Sequence, residues 1–123
     1  MIKKQTMADF NEQVKEFNAL VAANKFMDAI GKFYADDIVS VDNEGKPTEG
    51  LAAFKEAVSK FIDSTSNLKA EMLHTIISDN MSVTEWHYSF DHKMAGHWDY
   101  KQISIQRWKN GKIVHERHHY NVG

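Results

Sequence analysis

Val83-Thr84-Glu85-Trp86-His87-Tyr88-Ser89-Phe90-Asp91-His92-Lys93 alternates with a period of two. Thr84, Trp86, Tyr88 and Phe90 fall on one side, and Glu85, His87, Ser89 and Asp91 fall on the other. Successive strand side chains point to opposite faces, so this is a half-buried strand whose aromatic set turns to the interior. Working outward, Asp79-Asn80 turns the chain after an apolar run from Leu68 to Ser78. Two further strands, from about His97 to Trp108 and from Lys112 to Asn121, flank Lys109-Asn110-Gly111, one of the stronger short hairpin signals. The second half of the chain therefore reads as a meander of four long strands.

The first half reads as helix. Thr6-Met7-Ala8-Asp9 has the form of a capping box, and Phe10, Val14, Phe17 and Val21 follow at helical spacing, which predicts a helix over about 7–23. Phe26, Met27, Ile30, Phe33 and Tyr34 predict a second, shorter helix that stops at Ala35-Asp36-Asp37. A short β-branched run, Ile38 to Asp42, precedes a turn at Asn43-Glu44-Gly45-Lys46-Pro47. A third helix starts near Gly50, with Leu51, Phe54, Val58 and Phe61 on one face, and fades into residues 63–67. Helices that precede a mostly antiparallel sheet imply an α+β fold with the helices on one face.

Composition narrows the function. The chain has 123 residues, 15 Lys plus Arg against 17 Asp plus Glu, seven His and no Cys. That length suits a single domain, 1–123, with one core. A formal charge of −2 speaks against a broad basic nucleic-acid face. Without cysteine there is no disulfide, no thiolate nucleophile and no sulfur-ligated metal site. The longest uncharged apolar stretch, Ala19 to Ala23, is far short of the roughly 20 residues a membrane helix needs. Residues 1–6 lead into Asp9 and Glu12 rather than into an apolar leader, so a cytoplasmic location is expected.

Three stretches carry a family resemblance: Phe33 to Asp42, Thr48-Glu49-Gly50-Leu51-Ala52-Ala53-Phe54, and Arg107-Trp108-Lys109-Asn110-Gly111-Lys112-Ile113-Val114. With the order of elements, they make the chain resemble the nuclear transport factor two superfamily, which includes ketosteroid isomerases and SnoaL-like polyketide cyclases. The resemblance implies a cone-shaped, cystatin-like roll, with three helices packed on a curved sheet and a blind apolar pocket. The superfamily hosts isomerases, cyclases, hydrolases, dehydratases and binding proteins, so function must be argued from the site.

On the last strand, Val114, Glu116, His118 and Tyr120 share one face, and Ile113, His115, Arg117 and His119 share the other. Periodicity does not choose between them; the resemblance to SnoaL-like cyclases places His118 toward the pocket. A two-residue turn at Asn110-Gly111 would bring Ile103, Ile105 and Arg107 to that face, and a three-residue bulged turn would bring Gln102, Ser104 and Gln106. Asp42 lies eight residues after Tyr34, the offset at which ketosteroid isomerases carry their general base. A carboxylate among aromatic rings has its charged form disfavoured, which suits it to proton transfer. An Asp before Asn-Glu-Gly also fits a turn former. His118 titrates near neutrality and stands where the cyclases carry an acid, with Glu116 placed to orient it. Tyr34, Tyr88 and Tyr120 are candidate hydroxyl donors, and Trp86, Phe90 and Phe33 would supply stacking area.

The departures are equally specific. Where ketosteroid isomerases form their oxyanion hole from a tyrosine and a protonated aspartic acid, this chain holds Asn18 and Ser104. The aspartate–arginine–aspartate relay of limonene epoxide hydrolases is not recognisable. His115-Glu116-Arg117-His118-His119 suggests a metal site, but on a strand only Glu116 and His118 point together, with Asp42 or His74 as a third ligand, so no metal and no cofactor is expected. The resemblance implies a homodimer through the outer sheet face, which would take in His115, Arg117 and His119 and bury whichever of Ile103 or Ile105 points outward. The expected ligand is an apolar or aromatic small molecule, acted on by acid–base isomerisation, cyclisation or dehydration. The alternatives are a non-catalytic ligand-binding domain and a dimeric interaction domain.

Overall fold

The structure, a computed structural model, describes residues 6–121; the reading of residues 1–5 lies outside them. Thr6 caps the first helix, α1 (Met7–Ala22): its hydroxyl accepts from the Asp9 amide at 3.1 Å, and the Asp9 carboxylate accepts from the Thr6 amide at 3.5 Å. Phe10, Val14, Phe17 and Val21 form the buried stripe, as their spacing predicts. Helix α2 spans Phe26–Phe33. It ends one residue before the sequence stripe does, because Tyr34 is already extended and opens the strand β1 (Tyr34–Asp42). Strand β2 (Thr48–Glu49) has only two residues, too few to show a period, and the sequence reading has it as loop. Helix α3 (Leu51–Ser64) follows, and then come β3 (Thr65–Ser78), β4 (Met81–His92), β5 (Gly96–Lys109) and β6 (Lys112–Tyr120).

The strands form one sheet in the order β2-β1-β6-β5-β4-β3. Every neighbouring pair is antiparallel except β1 and β6, which run parallel. The protein is thus α+β, with three helices packed against a mostly antiparallel sheet. On β4, Ser82, Thr84, Trp86, Tyr88 and Phe90 are buried in strict alternation. Trp108 is the hub of the core: the rings of Phe10, Phe17 and Phe33 meet it edge-on at 5.5–5.8 Å.

The β5–β6 hairpin decides which residues look inward. Asn110 and Gly111 both have positive φ, 52° and 77°, as a two-residue type I′ turn requires. Lys109 faces Lys112 and Trp108 faces Ile113, but Arg107 then faces His115, so Val114 is an extra residue in a β-bulge. The turn has two residues, and the register beyond the bulge is still the one expected of a three-residue turn: Gln106, Ser104 and Gln102 pair with Glu116, His118 and Tyr120. The bulge also corrects the faces of β6. Ile113, expected opposite Glu116, shares its inner side, with 0 % of its surface exposed against 1 % for Glu116. Ile103 and Ile105 both face outward.

Replacing Ile113 with Ala should destabilise the fold by about 3 kcal/mol, the usual cost of emptying a fully buried aliphatic site. Urea unfolding would read this as a lower midpoint at unchanged slope, and an unshifted midpoint would remove Ile113 from the core.

Candidate functional site

Between the helices and the inner sheet face lies a cavity of about 340 Å³. Its apolar wall includes Phe17, Ile30, Phe54, Val58, Trp86 and the rings of Tyr34, Tyr88, Tyr100 and Tyr120. Its polar wall consists of Ser40, Gln102, Ser104, Gln106, Glu116 and His118, while exposed Asp42 and Lys46 stand at its rim.

Glu116 is the most constrained of these groups. One carboxylate oxygen accepts from the Tyr34 hydroxyl and from Gln106 Nε2 at 3.0 Å. The other accepts from the Ser40 hydroxyl at 3.2 Å and faces His118 Nε2 at 3.0 Å. Four donors fill the four acceptor sites of an ionised carboxylate. Burial alone would raise the Glu116 carboxyl; the His118 charge and the bonds from His118, Gln106 and Tyr34 outweigh it and hold it well below the usual carboxylate range. Burial likewise works against a charged His118, and the Glu116 carboxylate, its hydrogen bond and the Asp42 charge overcome it, raising the imidazole above its ordinary value. Nδ1 of His118 lies 2.7 Å from the Ser104 hydroxyl and 3.1 Å from Gln102 Nε2. The side chain of His118 keeps 21 % of its surface exposed, so the pair is not sealed from the cavity.

The phenols stay protonated. Tyr34 is raised by burial and by Glu116, and Tyr88 by burial, Tyr100 and Glu116. Burial, Tyr120 and Asp42 push Tyr100 up to about 12. Tyr34 donates to Glu116, and Tyr120 donates to Asp42 at 3.3 Å. The hydroxyls of Tyr88 and Tyr100 have no hydrogen-bond partner among the described residues.

The sequence-derived candidates thus divide. Asp42, Glu116, His118, Tyr34, Trp86, Tyr88 and Tyr120 line one cavity, with Asp42 and His118 paired across β1 and β6. Asp42 is exposed, however, so the carboxylate buried among aromatic rings is Glu116. Phe33 and Phe90 are not in the cavity wall. Phe33 packs on Phe17 and Trp108 in the core, and Phe90 on Phe61 and Trp98. Asn18 binds Thr75 at 3.0 Å, away from the cavity, and His74 is exposed on β3. Among the described residues no three His, Cys, Asp or Glu side chains group as metal ligands. No described helix is long and apolar enough to cross a membrane. Ser40 and Tyr100 are site residues that the sequence did not single out, and Gln102 and Gln106 are ones it offers only as the bulged-turn alternative. Alternation from Ile38 through Ser40 to Asp42 would have found Ser40; the other three depend on the bulge and on the cavity's depth.

Residues 14–116 match the sequence signature of the SnoaL-like domain. The chain belongs to the SnoaL-like domain family. Solved structures agree on the fold of this SnoaL-like domain. A Mesorhizobium loti protein assigned as a SnoaL-like polyketide cyclase superposes with a TM-score of 0.81 at 22% identity, over 93% of this chain and 98% of that one. A Catenulispora acidiphila protein of ketosteroid-isomerase-like fold, bound to trimethylamine, gives 0.75 at 16% identity, over 90% and 86% of the two chains. AclR from Streptomyces galilaeus, assigned as a hydroxylase, gives 0.74 at 14% identity, over 94% and 91%. No curated protein matches the chain.

The Glu116–His118 pair predicts how stability depends on pH. A lowered carboxyl contributes stability that is present above its unfolded value, 4.5, and lost as pH falls through its folded value. A raised imidazole contributes stability that is present below its unfolded value, 6.5, and lost as pH rises through its folded value. The contribution of the pair should therefore peak between pH 4.5 and 6.5. Glu116→Gln should remove that maximum and cost about 3 kcal/mol, as breaking a buried pair does. Melting curves across pH test this, and the idea fails if the variant keeps the wild-type profile.

Proposed function

We propose that this SnoaL-like protein binds a mostly apolar small molecule with an oxygen function in its cavity, and that Asp42 and His118 move protons on it. The observation that carries the reading is the line from Glu116 to His118 to Ser104, opening on a cavity that is otherwise apolar and aromatic. Asp42, solvated at the rim, is free to take or relay a proton. His118, its charge balanced by Glu116, is the complementary acid. A Tyr88 hydroxyl without a partner among the described residues supplies a donor for a carbonyl or enolate oxygen, where fixed dipoles act most strongly. The chemistry that fits is isomerisation, aldol-type cyclisation or dehydration of a carbonyl compound, with proton transfers performed by side chains alone.

A second reading, binding without turnover, is supported by one observation: both ring nitrogens of His118 already have protein partners. Such a histidine orients a ligand without necessarily exchanging protons with it.

A thermal-shift screen against polycyclic ketones, quinones, phenols and short acyl compounds tests the shared part. A ligand at 100 times its Kd should stabilise the fold by about 2.7 kcal/mol. Asp42→Asn should leave the unliganded melting point in place, since Asp42 is exposed, and alter the shift. With a hit in hand, loss of turnover in Asp42→Asn supports proton transfer, and changed affinity with no turnover in either protein supports the binding reading. No shift across all four classes would overturn both. The same proposal pairs two copies of the chain through the outer sheet face, where Ile76 on β3, 69 % exposed, lies in one row with Val83 on β4 and Ile105 on β5. Light scattering should then give twice the 14.2 kDa chain mass, and Ile105→Glu should restore 14.2 kDa. A wild-type monomer defeats it.

A further inference from the structure

Among the described residues, Ser104 is the one hydroxyl in hydrogen-bond contact with His118, and the proton transfers described above do not pass through it. It sits directly opposite His118 in the β5–β6 ladder, with its Oγ 2.7 Å from Nδ1. The far nitrogen, Nε2, lies 3.0 Å from Glu116. Tyr34, Ser40 and Gln106 in turn hold that carboxylate in place. A hydroxyl, an imidazole and a buried carboxylate in one hydrogen-bonded line form the arrangement that activates serine toward acyl groups, and such arrangements are recognised by geometry and roles rather than by chain order. The imidazole is used here in the sense opposite to the serine proteases, with Nδ1 toward the hydroxyl. Either nitrogen can take the proton, provided the carboxylate holds the other.

We propose that Ser104 is an acyl-accepting nucleophile, and that the cavity takes small apolar esters, aryl esters above all. In the neutral form of His118, with Nε2–H donating to Glu116, the Oγ of Ser104 bonds to the ester carbonyl carbon as its proton passes to the free lone pair of His118 Nδ1. The bond from that carbon to the leaving oxygen then breaks, and the alcohol or phenol departs with the proton. Water next gives a proton to His118 and attacks the acyl carbon; the carboxylic acid leaves, and Ser104 regains its proton from His118. Atoms and charge balance with water as the only co-reactant. Gln102 controls access. Its Nε2 lies 3.1 Å from both Ser104 Oγ and His118 Nδ1, and Ser104 is 1 % exposed, so the ester reaches the hydroxyl only as the Gln102 amide turns aside. That amide is then the nearest donor to the oxygen that becomes negative as the bond forms. The inference rests on the cavity being a ligand site and adds to it a reaction that proton transfer by Asp42 does not need.

The test uses the full chain and p-nitrophenyl acetate. Expected is a burst of about one p-nitrophenol per chain, with one acetyl group mapped to Ser104 by mass spectrometry, or steady turnover that depends on Ser104. Ser104→Ala should lower the rate by on the order of 100-fold or more. Acetylation confined to lysines, or an unchanged rate in a folded Ser104→Ala, overturns the proposal. Ser104→Cys gives an independent reading, because the chain has no other thiol. Beside His118 that thiol should be alkylated by iodoacetamide at pH 7 about 10-fold faster than free cysteine; a rate below that of free cysteine overturns both the activation and the access. A ligand that shifts the melting point of a chain that Ser104 never acylates would overturn acyl transfer and leave the cavity reading standing.

Discussion

A buried carboxylate governs this molecule. Removing an ion from water costs several kcal/mol even after relaxation, and a charge left unpaired inside a protein is among the most destabilising features known. Glu116 meets that cost with donors from three strands: Tyr34 and Ser40 on β1, Gln106 on β5, and His118 on its own strand β6. The arrangement works in one register only. A slip of one residue between β5 and β6 would turn Gln106 outward and leave the carboxylate short of a donor. The bulge at Val114 is therefore part of the same solution, since it brings Ile113 and Glu116 to one side of the sheet.

The network around Glu116 also joins the packed core to the cavity. Trp108 donates to Ser82 at 2.9 Å, Ser82 to Gln106 at 3.1 Å, and Gln106 to Glu116 at 3.0 Å. Beyond Glu116 the line continues through His118 to Ser104. One end is held by the tryptophan on which three phenylalanines pack; the other opens on the cavity. Each polar group along it is held at both sides, so the cavity-facing imidazole inherits the rigidity of the core, the kind of support that keeps a reactive group in position.

The two carboxylates of the site divide their work by environment. Asp42, with exposed surface at the rim, keeps its contact with water, while Glu116, with 1 % exposed, is locked in its ionised form by four donors. In the ketosteroid isomerases the apolar site keeps one carboxylic acid neutral as a donor. Here the site runs the other way: the buried carboxylate is an acceptor, and it raises the neighbouring His118 imidazole above its ordinary value. The polar wall differs with it, since Ser104 meets the imidazole and Asn18 points to β3 instead.

Short-range physics alone made much of the fold legible. Met27 of the second helical stripe is exposed and Tyr34 already opens β1, but alternation on β4, the Thr6 capping box, the α1 stripe and the Asn110-Gly111 turn are local patterns, each set by backbone geometry over a few residues, and each stands in the structure where the sequence puts it. So do Asp42, Glu116, His118 and four of the six expected aromatic residues in one cavity wall. Tertiary structure decided what local pattern cannot express. Phe33 and Phe90 have the same apolar character as the ring residues of the cavity, and only packing against Trp108 and Phe61 assigns them elsewhere. Gln102 and Gln106 became site residues because a one-residue bulge set the pairing of β6, and a bulge follows from the energy of the whole sheet rather than from the turn beside it. The sequence by itself determined the three helices, the long strands and the inner face of β4; the inner face of β6 and the partners of the buried charge were chosen by strand register, because only register brings Tyr34, Ser40, Gln106 and Glu116, dispersed along the chain, within hydrogen-bond reach.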